Sequence, residues 1–170
     1  MLFRSIRDII KYPDPCLKET SKVVKEIDES ILTIIQDLSD TLNAFSHTVG
    51  IASPQIGISS RIIVIDASKN EKCNNHHGKT VLINPEIDSH NGIIQFREGC
   101  LSIPDFTGNV NRAQEVTVHY YDTSFNKQLI KAVSFEAVVL QHEIDHLNGI
   151  LFLDRIISKR TDLFRRKKYQ

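Results

Sequence analysis

Two histidines four residues apart enclose a glutamate in His142-Glu143-Ile144-Asp145-His146. On a helix, positions i and i+4 share a face, so both imidazoles can converge on one metal ion. Glu143 follows the first imidazole directly and reaches the same place without being a ligand. A carboxylate so placed can take a proton from water and later deliver it to a leaving group. A divalent ion there lowers the pKa of water to about 7, which generates hydroxide at neutral pH. The pattern predicts a metallohydrolase with Glu143 as its acid–base group.

Two ligands are too few, because a catalytic site of this kind holds its metal with three protein groups and keeps one position open. Helix-based peptidases take the third from a downstream Glu or His. Residues 147–170 contain neither, and Asp154 and Asp162 are their only carboxylates. The ligand is therefore expected upstream, and Cys100 in Glu98-Gly99-Cys100-Leu101-Ser102 is the best candidate. It follows a predicted strand and sits beside a glycine that permits close backbone approach. A lone cysteine is ordinarily a small buried hydrophobe; the helix motif decides for the ligand. A third segment, Gly50-Ile51-Ala52-Ser53-Pro54-Gln55, adds a glycine against which substrate or metal site can lie. Gln55 adds an uncharged amide donor for an oxyanion.

These groups need elements to hold them. Ser134 is a candidate N-cap for the motif helix, and Asn148-Gly149 is expected to end it. Phe135, Val138, Val139, His142 and His146 form one stripe of that helix. An earlier helix begins after Asp28 as N-cap, with Ile31, Ile34, Ile35, Leu38, Leu42 and Phe45 at helical spacing. Residues 47–60 read as a loop and 61–66 as a strand, followed by a polar loop over 68–80. Val81–Asn84 and Ile93–Phe96 read as short strands. Glu115–Tyr121 pairs with Gln128–Val133 across a turn. A basic helix is expected from about Arg155. Strands in the middle with helices at the edges predict an α+β fold, with mixed or antiparallel sheets around a central metal-binding helix.

Apolar residues make up 41% and charged residues 25% of 170, which suits one catalytic domain over 1–170 with a basic tail at 155–170. The net charge of zero argues against DNA and membrane partners. That balance hides an asymmetry. Residues 155–170 carry seven Lys/Arg, Lys168 among them, against Asp162 alone, so they sum to +6 and residues 1–154 to −6. Three irregularly spaced cysteines, Cys16, Cys73 and Cys100, make no disulfide framework. No run is apolar enough for a signal peptide or a membrane span. A reducing, cytosol-like compartment is expected, and it leaves Cys100 available as a thiolate.

Tyr12-Pro13-Asp14-Pro15, the loop ending Pro54-Gln55, Glu98–Ser102 and Gln141–Gly149 with Leu151-Phe152 occur in the order of the peptide deformylase family, which the chain resembles from about residue 9 to 155. That resemblance implies removal of the formyl group from the initiator methionine of nascent formylmethionyl polypeptides, with release of formate. It implies Cys100, His142 and His146 as metal ligands, Glu143 as acid–base, and Gln55 with the Leu101 backbone N–H as oxyanion donors. The implied metal is Fe2+, one per chain, replaceable by Zn2+, Ni2+ or Co2+. A methionine pocket beside the helix is expected, walled by Ile51, Phe135, Val138 and Val139. A bacterial cytosol is implied, with an organelle stroma or matrix as the other setting. The basic tail is a candidate contact to ribosomal RNA. Two positions depart from the family pattern: Thr48 stands for a glycine and Ser53 for an alanine, which bears on affinity and peptide preference.

Two other readings compete. A metallopeptidase cleaving internal bonds would use the same chemistry but lacks its downstream ligand here. A non-catalytic, metal-stabilised binding relative would not be expected to keep Glu143 and Gln55. Cys73, His76 and His77 offer a second metal site or, as their polar loop favours, exposed side chains. Asp145 either orients a neighbour or lies on the helix surface. Arg97 and Arg112 either neutralise acids near the site or steer the peptide.

Overall fold

The computed structural model describes residues 5–167, so Lys168 of the basic tail lies outside the described residues. The strands in chain order are β1 (Gly50–Ala52), β2 (Ile62–Asp66), β3 (Lys79–Asn91), β4 (Ile94–Cys100), β5 (Ile103–Arg112), β6 (Glu115–Tyr121), β7 (Lys127–Val133) and β8 (Leu163–Arg165). Two helices of several turns accompany them, α1 (Glu29–Ala44) and α2 (Ser134–Leu147). All ladders are antiparallel, in a sheet of order β1-β2-β3-β6-β7 and another of order β4-β5-β8. The fold is α+β.

The unbroken apolar run of β2 has a direct cause, because both faces of the larger sheet are covered. Ile62 and Val64 point to α1 and meet Ile35, Leu38 and Leu42. Ile63 and Ile65 point to α2 and meet Ala137, Leu140, Ile144 and Leu147. Asp28 caps α1 as expected, its carboxylate accepting from the Ile31 N–H at 2.8 Å. A third core joins the smaller sheet to Leu17, Leu151 and Phe152. Helix α2 ends at Leu147, and Gly149 at φ +69° lets the chain turn back.

Several expectations change. Ser134 does not cap α2; it is the first helical residue, at φ +52°, and its N–H donates to the Gln114 carbonyl at 2.7 Å. The loop at 47–60 contains β1 and a 3-10 turn over Ser53–Ile56. Residues 103–112, not read as a strand, form β5. No basic helix runs from Arg155. Phe152–Arg155 is a 3-10 turn, Lys159–Asp162 a single helical turn, and then β8 pairs with β5. A short helix carrying so many like charges has little to stabilise it. The edge of β5 offers unpaired backbone groups, and the third core takes Leu163.

Candidate active site

Helix α2 brings His142, Glu143 and His146 to the seam between the two sheets, and the end of β4 brings Cys100. One nitrogen from each histidine and the Cys100 sulfur lie within 4.8 Å of one another, the only such group of metal-binding side chains among the described residues. Cys100 Sγ is 3.3 Å from His146 Nε2. The site is enclosed: Cys100, Glu143 and His146 are buried and His142 nearly so. Burial alone would push the Cys100 thiol up, but His146 and His142 outweigh it and hold the thiol well below its ordinary value. His142 is raised despite burial, by its hydrogen bonds to Cys100 and Glu98. A soft sulfur beside two imidazoles is a donor set that fits a divalent transition metal.

A buried chain of charges backs this group. His142 Nδ1 meets Glu98 Oε2 at 2.8 Å, which turns Nε2 toward the site. Arg112 holds Glu98 with Nε on Oε1 at 2.6 Å and Nη2 on Oε2 at 3.0 Å. Its Nη1 reaches Asp145 at 2.5 Å, and Arg155 holds the same carboxylate at 2.5 and 2.6 Å. Burial works against the Glu98 charge, yet hydrogen bonds from Arg112 and His142 bring its pKa down to about 2. Sequence reasoning did not single out Glu98 as the partner of His142; its place two residues before Cys100 was the available signal. Asp145 is buried and paired, and Arg112 neutralises acids at the site.

Glu143 lies against Gly50. A Cβ on that glycine would stand 2.5 Å from Glu143 Oε1, so the close approach permitted by Gly50 is to this carboxylate. Burial lifts the Glu143 pKa to about 6, and its Oε2 has no partner among the described residues. Gln55 is 2% exposed. Its Oε1 accepts the Ala52 N–H at 3.0 Å, which fixes the amide so that Nε2 points to Cys100 Sγ at 3.5 Å and Ser102 Oγ at 3.3 Å.

A cavity of about 540 Å³ opens beside these groups. Phe135, Val138, Val139 and Leu101 line it, with Phe45, Val49 and Phe96. Ile51 does not. Strand alternation turns it, fully buried, into the α1 core, and Gly50 faces the cavity instead. Thr48 lines the cavity and needs no left-handed backbone, which falls among non-glycines at Asn84, Phe125 and Ser134. The buried Ser53 hydroxyl donates to the Ser60 carbonyl. Cys73, His76 and His77 form no ligand cluster; His77 instead binds the buried Glu136 of α2, Nδ1 to Oε2 at 2.7 Å.

The sequence pattern of the family described as polypeptide deformylase matches residues 6–162. A peptide deformylase from Syntrophobacter fumaroxidans is 40% identical over 163 residues, 96% of this chain and 94% of that one. The crystal structure of a peptide deformylase from Legionella pneumophila superposes with a TM-score of 0.81 at 42% identity, covering 89% of this chain and 86% of that one. A Met-Ala-Ser-bound class I type b peptide deformylase from Acinetobacter baumannii gives 0.83 at 30% identity, covering 91% and 100%.

Proposed function

The chain belongs to the polypeptide deformylase family, and on that premise we infer that it is the hydrolase that removes the N-formyl group from newly made polypeptides beginning with formylmethionine. It is a metal-dependent amide hydrolase of protein biosynthesis. Its residues are assigned as follows, within a single catalytic domain spanning 1–170. Cys100, His142 and His146 would hold the metal, which would supply Lewis acidity for the formyl carbonyl and for water. Glu143 takes a proton from the attacking water and delivers it to the nitrogen as the C–N bond breaks, leaving amine and formate. Gln55 Nε2 and the Leu101 N–H donate to the oxygen that gains charge. Gly50 leaves room for the Glu143 carboxylate. Phe135, Val138 and Val139 receive the methionine side chain.

The observation that carries this reading is the convergence of three donor atoms within 4.8 Å next to a buried carboxylate, at the wall of an apolar cavity. A formylated tripeptide assayed beside casein tests it. Formate from the first with no cleavage of the second is expected; cleaved casein would favour the metallopeptidase instead. Fe2+ is the proposed metal, as the family resemblance implies; the mixed sulfur and nitrogen donors suit Fe2+ and Zn2+ alike. Anaerobic loading with Fe2+ or Zn2+ should give the faster enzyme with iron.

No helix among the described residues is long and apolar enough to cross a membrane. Action on nascent chains in a bacterial cytosol agrees with that. The exposed Lys159, Arg160 and Arg165 are the proposed contacts to ribosomal RNA. Because β8 belongs to the fold, charge reversal at these three tests the contact better than deleting residues 156–170. Unchanged ribosome sedimentation would refute it.

A further inference from the structure

The C-terminal strand returns to the cavity. Strand β8 pairs Phe164 with Thr107 and Leu163 with Gly108, and the Arg166 N–H donates to the Asp105 carbonyl at 2.8 Å. Alternation puts Phe164 and Arg166 on one face. Arg97 stacks its guanidinium on the Phe164 ring, 3.9 Å from the centroid, and its Nε donates to Thr107 Oγ1 at 3.1 Å. Arg166 reaches further and lays its guanidinium where a side chain at position 99 would stand, one residue from Cys100; the absence of a Cβ on Gly99 makes that space. Both arginines line the cavity, and among the described residues neither has a carboxylate partner. Glu98 is near but both its oxygens are already engaged by Arg112 and His142. The cavity thus has an apolar end at Phe135, Val138 and Val139 and a cationic wall at Arg97 and Arg166.

We propose that Arg166, with Arg97, is a specificity-determining residue that favours nascent chains with acidic side chains shortly after the methionine. The proposal rests on the deformylase reading. Peptide bound in the cavity leaves it past these guanidinium groups, which can donate to carboxylates in the bidentate geometry arginine favours. Both are exposed, so each contributes modestly and the effect is screened by salt.

The test uses the iron-loaded full chain and three peptide amides, formyl-Met-Ala-Asp-Asp, formyl-Met-Ala-Ala-Ala and formyl-Met-Ala-Lys-Lys. Amidation removes the terminal carboxylate, which would bind the same arginines. The readout is the ratio of kcat/KM for the Asp peptide over the Lys peptide within one preparation, so any loss of folded protein cancels. The wild type should show a ratio of about tenfold at low salt, carried in KM and falling toward one at high salt. Arg166→Glu should invert it, and Arg166→Lys should keep most of it. A wild-type ratio of one, or a ratio untouched by Arg166→Glu, would overturn the proposal. If even the neutral peptide released no formate, the deformylase reading would fall and the proposal with it.

Discussion

Gly50→Ala is a small change with a calculable target. The added methyl would sit 2.5 Å from Glu143 Oε1, 2.8 Å from its Cγ and 2.9 Å from its Cδ, inside the 3.0 Å that real Cβ atoms respect. Gly50 lies in a strand and has no positive φ, so alanine suits the backbone, and the three nearest atoms that the methyl would meet all belong to Glu143. Overpacking of this kind costs about 1–3 kcal/mol. The carboxylate yields by moving, and a displacement of about 1 Å at a reacting group costs on the order of 10² in rate. We therefore expect kcat for formate release to fall about a hundredfold with KM and metal content nearly unchanged. Urea denaturation supplies the second reading. In a Glu143→Ala background the obstacle is gone, and Gly50→Ala should be neutral or stabilise by about 0.4–1 kcal/mol through the unfolded chain. A single variant with wild-type kcat, or equal destabilisation in both backgrounds, would refute the assignment of Gly50 as the seat of Glu143.

The charge chain behind the ligands makes further predictions. Arg112→Met leaves the buried Glu98 with His142 alone and Asp145 with Arg155 alone, and should cost about 3–5 kcal/mol in urea denaturation, most of it from Glu98. Glu98→Gln should lower metal affinity about 10–100-fold in a chelator competition, because His142 loses the acceptor that orients it. In metal-free protein the two glutamates act with opposite sign. Glu98, lowered from 4.5 to about 2, contributes about 3 kcal/mol that is present above pH 4.5 and lost as pH falls toward 2. Glu143, raised to about 6, contributes about 2 kcal/mol below pH 4.5 that is lost as pH rises through 6. Acid denaturation of Glu98→Gln should lack the first component; a curve matching wild type would refute it.

The cluster was legible because a helix imposes its period: His142, Glu143 and His146 share a turn whatever surrounds them. Cys100 followed by exclusion of downstream ligands, and the structure brings it to the two histidines. The α1 boundary was legible through Asp28, a local cap that tertiary contacts do not override. What failed depended on pairing. β5 carries Pro104, Gly108 and two asparagines and has little strand propensity of its own; it is a strand because β4 and β8 flank it. The tail looked helical for want of any sign that β5 had an open edge. Ile51 was misplaced because its orientation depends on which parity of a three-residue strand faces α1. Arg112 and Asp145 could not be paired from sequence, since they lie 33 residues apart and meet only when the fold brings the end of β5 near α2.

Deformylation with Glu143 as acid–base is tested most directly by formate release from formyl-Met-Ala-Ser by anaerobically purified, iron-loaded protein, run beside Glu143→Ala with metal measured in both. Turnover by the wild type is expected, with a loss of at least about 10²-fold in a variant that still holds one metal per chain. No formate from fully loaded wild type would contradict the activity; a fully active Glu143→Ala would contradict the mechanism.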